Sequence, residues 1–157
     1  NGEMIARDTL SAHFSPGEIT VYVKPAFDSP VKEFTVSGVI TAVASDPESI
    51  KLEPSASGIG SNFINEIWLN GFVKNKDNKN VSSGVKVLFE DELLSGAPAG
   101  GSFRDVTTTT GDSSKVSAWF GAPLLPIGTR IKLRATVLDT NGSKTNIADS
   151  VFITINL

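Results

Sequence analysis

Arg130-Ile131-Lys132-Leu133-Arg134-Ala135-Thr136-Val137 places an apolar residue at every second position and a polar one between them. A period of two is that of an extended strand with one face in a core and the other in water. The same period recurs along the chain. Val85, Val87 and Phe89 alternate with Lys86, Leu88 and Glu90; Val151, Ile153, Ile155 and Leu157 alternate with Phe152, Thr154 and Asn156. Ile19, Val21 and Val23 do so with Thr20, Tyr22 and Lys24. Phe34, Val36, Gly38, Ile40 and Ala42 extend the pattern, with Gly38 expected to mark a bend or bulge. Ile67, Leu69 and Val73 share a face opposite Trp68 and Phe72, and Val116, Ala118 and Phe120 oppose Trp119. Phe103 to Thr110 is one more candidate, its Thr107 to Thr110 run reading as an exposed edge or turn approach. No segment sustains a 3.6-residue period; Ser49 to Leu52 and Glu90 to Leu94 are expected to form short helical turns at most.

Turn-forming clusters separate these runs at Ser15-Pro16-Gly17, Asp28-Ser29-Pro30, Ser45-Asp46-Pro47, Ser55 to Ser61, Asn75 to Asn80, Ser95 to Ser102, Thr110 to Ser114 and Asp139 to Ser143. Ser55 to Phe63 is read as a long interstrand loop. Val, Ile and Thr make up about a quarter of the 157 residues, and Gln is absent, as befits a β protein. Parallel βαβ folds need crossover helices, and the sequence offers none. The expectation is an all-β, antiparallel two-sheet sandwich of about 7–9 strands. In domain terms, residues 1–18 form an N-terminal arm or first strand and residues 19–157 a single sandwich.

A net charge of -3 supplies no basic field for phosphates, which argues against nucleic acid and anionic membrane as partners. No apolar run is long enough for a membrane-spanning helix. The chain opens without a basic-then-apolar leader, which fits a cytoplasmic protein or a secreted one after processing. The absence of Cys removes disulfides, thiolate metal sites and thiol nucleophiles.

The stretch Pro126-Ile127-Gly128-Thr129, followed by the alternating run, the Asp139-Thr140-Asn141-Gly142 turn and Ala148 to Ile155, resembles the last two strands of bacterial immunoglobulin-like domains of the invasin and adhesin type. Lys32 to Ala42 is similar to an early strand of those modules, and Asn70 to Phe89, with Val81-Ser82-Ser83-Gly84-Val85, resembles another of their steps. The resemblance covers about 60 residues, and the order of its pieces is more specific than any one of them. It implies an immunoglobulin-like sandwich, extracytoplasmic and non-catalytic, that makes contacts with proteins or neighbouring modules in adhesins, fibres, secreted enzymes or phage particles. The N-terminal Thr9-Leu10-Ser11-Ala12-His13-Phe14, before Ile19 to Val23, resembles the arm of chaperone-usher pilins. That implies self-assembly by strand addition through Leu10, Ala12 and Phe14. The favoured alternative is an ordinary first strand, because the regular run from Val151 to Leu157 gives the sandwich its own last strand.

Chemistry is sought with little return. His13 is the single imidazole, so His-pair metal sites are excluded, and nothing marks a serine triad around it. Calcium needs only oxygens, which Asn75, Asp77, Asn78 and Asn80, or Asp139, Asn141 and Asp149, offer; neither set fits a calcium loop, and Lys74, Lys76 and Lys79 oppose a dication. Hairpin turns are the preferred account of both. Glu90, Asp91 and Glu92 are adjacent acids that point different ways along a strand, which disfavours a glycosidase pair. Gly96 to Gly101 lacks the Lys-Ser/Thr and helix of a phosphate cradle. Asn80-Val81-Ser82 and Asn141-Gly142-Ser143 are formal glycosylation sites of a kind common by chance. Trp68 and Trp119 are read as core residues first, and as exposed rings for stacking on carbohydrate or filling an interface second. The sequence thus points to a cell-surface or secreted module with no catalytic residue, metal or cofactor; a pilus subunit and a carbohydrate-binding module are the alternatives.

Overall fold

The computed structural model describes the backbone of residues 17–23 and 36–42 and, with side chains, residues 45–109 and 113–156. The chain divides into two compact units, residues 1–44 and 45–157. In the first unit, β1 (Gly17–Val23) pairs antiparallel with β2 (Val36–Ala42). The register runs unbroken from Gly17 opposite Ala42 to Val23 opposite Val36, so the bulge expected at Gly38 does not occur there. Leu10, Ala12, His13 and Phe14 lie outside the described residues.

The second unit contains eight strands: β3 (Ser49–Pro54), β4 (Gly58–Gly60), β5 (Glu66–Lys74), β6 (Val87–Leu93), β7 (Ser102–Arg104), β8 (Lys115–Gly121), β9 (Arg130–Leu138) and β10 (Lys144–Asn156). They form two four-stranded sheets, β3-β5-β8-β7 and β4-β10-β9-β6. When β3 and β4 are counted as one strand that changes sheets, the first sheet holds strands one, two, five and four of the unit, and the second holds strands three, six and seven. This is the immunoglobulin arrangement. No helix occurs among the described residues.

Alternation builds the core as the sequence reading expects. Ile131, Leu133, Ala135, Val137, Ile153 and Ile155 from one sheet meet Leu69, Val73, Val116, Ala118 and Phe120 from the other, all fully buried. Burying a Leu or Ile side chain contributes roughly 1.5–3 kcal/mol, so these rows supply the main force that joins the sheets. The rule fails locally at Thr136, an outward position that is nonetheless buried where β10 rejoins β9 after a bulge between Lys144 and Ala148.

Several short segments differ from expectation. Ser49 to Leu52 is strand and not a helical turn: Ile50 and Leu52 point inward while Ser49, Lys51 and Glu53 point out, and the run pairs with β5. Glu90 to Leu93 likewise continues β6 along β9. In both, partner-strand hydrogen bonds override a weak local preference. The loop expected over Ser55 to Phe63 contains β4, which pairs with β10 in parallel, the exception in an otherwise antiparallel pairing pattern. At the seam, the Leu52 N–H on the edge strand β3 donates to Asp149 Oδ2 on β10 at 2.9 Å, which satisfies a group that would otherwise sit unpaired at a sheet margin. β7 is only three residues long and ends at Asp105, whose φ is 53°. Within the threonine run, Thr109 is buried rather than exposed: its Oγ1 donates to Ser82 O and accepts from Val85 N.

The two polar loops behave as local turns. Asn75 Oδ1 accepts from the N–H groups of Asp77 and Lys79, and Asn78 holds φ at 58°. Asp139 Oδ1 accepts from Asn141 and Ser143 N–H. These oxygens already serve the backbone.

Candidate functional site: an aromatic sheet face

The outward positions of β5 are Glu66, Trp68, Asn70 and Phe72, since Ile67, Leu69, Gly71 and Val73 turn inward. On β8 they are Lys115, Ser117 and Trp119. Register places Trp68 directly opposite Trp119, Asn70 opposite Ser117, and Phe72 opposite Lys115. The two indoles therefore meet across the strands, with ring centroids 4.1 Å apart and planes inclined by 31°. Trp68 keeps 37% of its surface exposed, and Trp119 is half-buried. Both lie on the outside of the sheet, so the expectation that they pack in the core is not met. Period-two alternation put them on the face opposite Leu69 and Ala118; no layer among the described residues covers that face.

The pair is held from its far side. Arg104 stands opposite Trp119 on β7, with its guanidinium carbon 5.2 Å from the ring centroid. Its Nε donates to Glu66 Oε1 at 2.8 Å, its Nη2 to Glu66 Oε2, and its Nη1 to Asp105. Gly121 of β8 lies in register between Glu66 and Ser102. The Arg104 hydrogen bond holds the Glu66 carboxyl below the ordinary glutamate value of 4.5, and the same partner raises Arg104 further above its own range. On the other margin, Ser55 Oγ accepts from Trp68 N–H, and Ser55 N–H donates to Trp68 O.

Trp119 is thus flanked by an indole on one side and a guanidinium on the other. The two rings lean on one another and share no plane, so they form no flat platform of the kind a sugar ring stacks on. They do form a pre-set aromatic patch with a charged rim.

The opposite outer face has another character. Lys132 Nζ donates to Glu92 Oε1 and Lys144 Nζ to Glu90 Oε1, each at 2.6 Å. The Lys132 bond holds Glu92 below the ordinary 4.5. Asp91 turns the other way and accepts from Gly101 N–H at 2.7 Å. Glu90, Asp91 and Glu92, adjacent in sequence, are therefore split between two faces and three different partners. Among the described residues, no three His, Cys, Asp or Glu side chains converge on a common point.

Arg104 and Glu66 escape notice in the sequence, being 38 residues apart. Only the strand register joins them. The interaction candidates Trp68 and Trp119 do come together, and Leu10, Ala12 and Phe14 fall outside the described residues. In the second sheet the last strand, β10, lies between β9 and β4.

No family model and no curated protein matches the chain. Among solved structures, the adhesin InvE of Yersinia pseudotuberculosis matches at 17% identity and a TM-score of 0.49, over 91% of this chain and 40% of that one. This chain thus spans about two-fifths of the length of that solved chain. Likeness of this degree carries no functional argument, and the sandwich stands on its own strand order.

Proposed function

We propose that the chain is a non-catalytic immunoglobulin-like module of the bacterial cell surface or extracellular space, which makes protein contacts through the outer face of the β3-β5-β8-β7 sheet. The observation that carries this reading is the Trp68–Trp119 contact, with ring centroids 4.1 Å apart and planes tilted by 31°. Exposed, rigid aromatic groups are the residues that dominate binding energy at protein interfaces, and rings already fixed by neighbours lose little freedom on binding. Arg104 and Glu66 pre-set the patch, and the stiff pair of sheets presents it.

The test uses the whole chain, fluorescently labelled, on cultured epithelial monolayers. Binding is expected, with loss after the cells are treated with trypsin and loss with the Trp68→Ala/Trp119→Ala variant. Binding that survives trypsin but disappears after periodate oxidation of glycans would transfer the face to the carbohydrate reading. Equal binding by both forms of the protein would remove the face from the account.

A further inference from the structure

One pole of the sandwich differs from the rest of its surface. Strand register places loops 61–65, 94–101 and 122–129 together at the end where β5 and β9 begin and β6 and β8 finish. None of the three contains a charged residue, in a chain whose charged fraction is 20%. The loops at the opposite end carry Lys76, Asp77, Lys79 and Asp139.

Five large apolar side chains stand out from the uncharged pole: Phe63 is 51% exposed, Ile64 75%, Leu94 67%, Leu124 76% and Ile127 64%. Loops 61–65 and 122–129, which bear four of them, are tied together. Asn62 N–H donates to Pro123 O at 3.1 Å and Phe63 N–H to Ala122 O at 2.8 Å. Ser61 Oγ donates to Leu125 O and accepts from Leu125 N–H, both at 2.8 Å. Asn62 and Phe63 hold φ at 58° and 55°, a left-handed conformation that a bulky L residue adopts only at a cost. Gly121 makes the close approach feasible, since a Cβ there would lie 3.1 Å from the Phe63 ring. The tip is therefore pinned in a strained form that leaves apolar groups in water, the combination that marks a contact site.

The dimensions and the charge select the partner. Five side chains at these exposures offer roughly 650 Å², still short of the about 800 Å² per partner of a standard protein interface. They stand on loops at one end of the sandwich, where a fluid apolar medium can reach all of them without the shape match that a second rigid surface would need. With no cation on these loops and a net charge of -3 on the chain, anionic headgroups gain nothing here. We propose that this pole inserts Phe63, Ile64, Leu124 and Ile127 into the acyl boundary of a zwitterionic lipid surface. The contact is peripheral; no strand crosses the bilayer.

Flotation of the whole chain with phosphatidylcholine vesicles tests the idea. The wild type is expected to float, and Ile64→Asp/Leu124→Asp, whose changes lie on exposed side chains, to partition at least about tenfold more weakly with an unchanged circular dichroism spectrum. Vesicles enriched in phosphatidylserine should bind no better. A Leu124→Trp variant should gain a blue-shifted emission component on phosphatidylcholine. Failure of the wild type to float, or equal flotation of wild type and double variant, overturns the proposal. Self-association without lipid that the double variant abolishes would overturn it too, giving the pole to a second copy. None of these results depends on the Trp68–Trp119 face.

Discussion

The two outer faces of the sandwich are built on the same alternation and end up chemically unlike. On the β3-β5-β8-β7 sheet, outward positions carry Trp68, Trp119 and Phe72, braced by an arginine that spans three strands. On the β4-β10-β9-β6 sheet they carry Glu90, Glu92, Lys132, Arg134 and Lys144, with Phe152 beneath Arg130 at 4.5 Å as an isolated aromatic contact. The inner faces are equivalent: both are rows of buried Val, Ile, Leu, Ala and Phe. Folding therefore constrains the inner faces and leaves the outer ones free to differ. Alternating charges keep a face solvated at little gain in stability, because exposed ion pairs are screened and cost side-chain entropy. Clustered rings forgo that solubility, and what they gain is a stiff surface with apolar area available to a partner.

The largest expected effect distinguishes the faces by energy. Trp119→Ala removes a ring in contact with both Trp68 and Arg104, and should destabilise the unit by about 2 kcal/mol, below the 3–5 of a fully buried aromatic because Trp119 is half-buried. Phe152→Ala, on the charged face, should cost less than half as much. Urea denaturation of both variants checks this, and equal losses would break the contrast. Next in size is the coupling between the indoles. A double-mutant cycle of Trp68→Ala and Trp119→Ala should return roughly 0.5–1.5 kcal/mol of interaction energy. Zero coupling would reduce the pair to two adjacent rings.

How far the sequence reveals this contrast depends on the distance over which each feature is decided. Ile131, Leu133, Ala135 and Val137 are legible because a period of two is local, and all four are fully buried. The same period puts Trp68 and Trp119 opposite the buried rows, yet whether that side is covered depends on the number of layers, which no local pattern encodes. Their mutual contact depends on the β5–β8 register, and the Arg104–Glu66 bond on that register together with the β7–β8 pairing. Ser49 to Leu52 differs from expectation because two apolar residues are too few to separate a strand from a helical turn; pairing with β5 decides it. The uncharged pole is written in the sequence as three charge-free loops, but their adjacency is not, and neither is the left-handed turn at Asn62 and Phe63, where no glycine announces it.

Acid should affect both faces in the same direction. Glu66 and Glu92 each have a carboxyl held below the ordinary value of 4.5 by a hydrogen-bonded cation, Arg104 and Lys132 respectively. A carboxyl depressed in the folded state stabilises it fully above the unfolded value and loses that contribution as pH falls below 4.5 through the folded value. Melting temperature should therefore drop on that acid limb, and Glu66→Gln/Glu92→Gln should flatten it while leaving the profile above neutral pH parallel to wild type. Because both carboxylates are substantially solvated, the change should be small beside that of Trp119→Ala. An acid limb of identical slope in the double variant would show that neither pair contributes.

The smallest expected effect is the most informative about the charged face. Lys132→Met and Lys144→Met each delete one exposed ion pair and keep most of the aliphatic stem that lies along the sheet. Lys144→Met should not shift the urea midpoint measurably, Lys132→Met should lower it only by the small amount that the Glu92 pair contributes, and high salt, which screens exposed charges, should leave the wild-type midpoint nearly unmoved apart from its general effect on apolar burial. What ought to change is solution behaviour. Each substitution makes a chain of net charge -3 more negative and leaves a glutamate unpaired on the face, which discourages edge-to-edge association of β6 with another sheet. If a methionine at either position instead stabilised the unit substantially, that face would have an unfilled apolar demand of its own, and the division between a solvated side and a contact side would no longer hold.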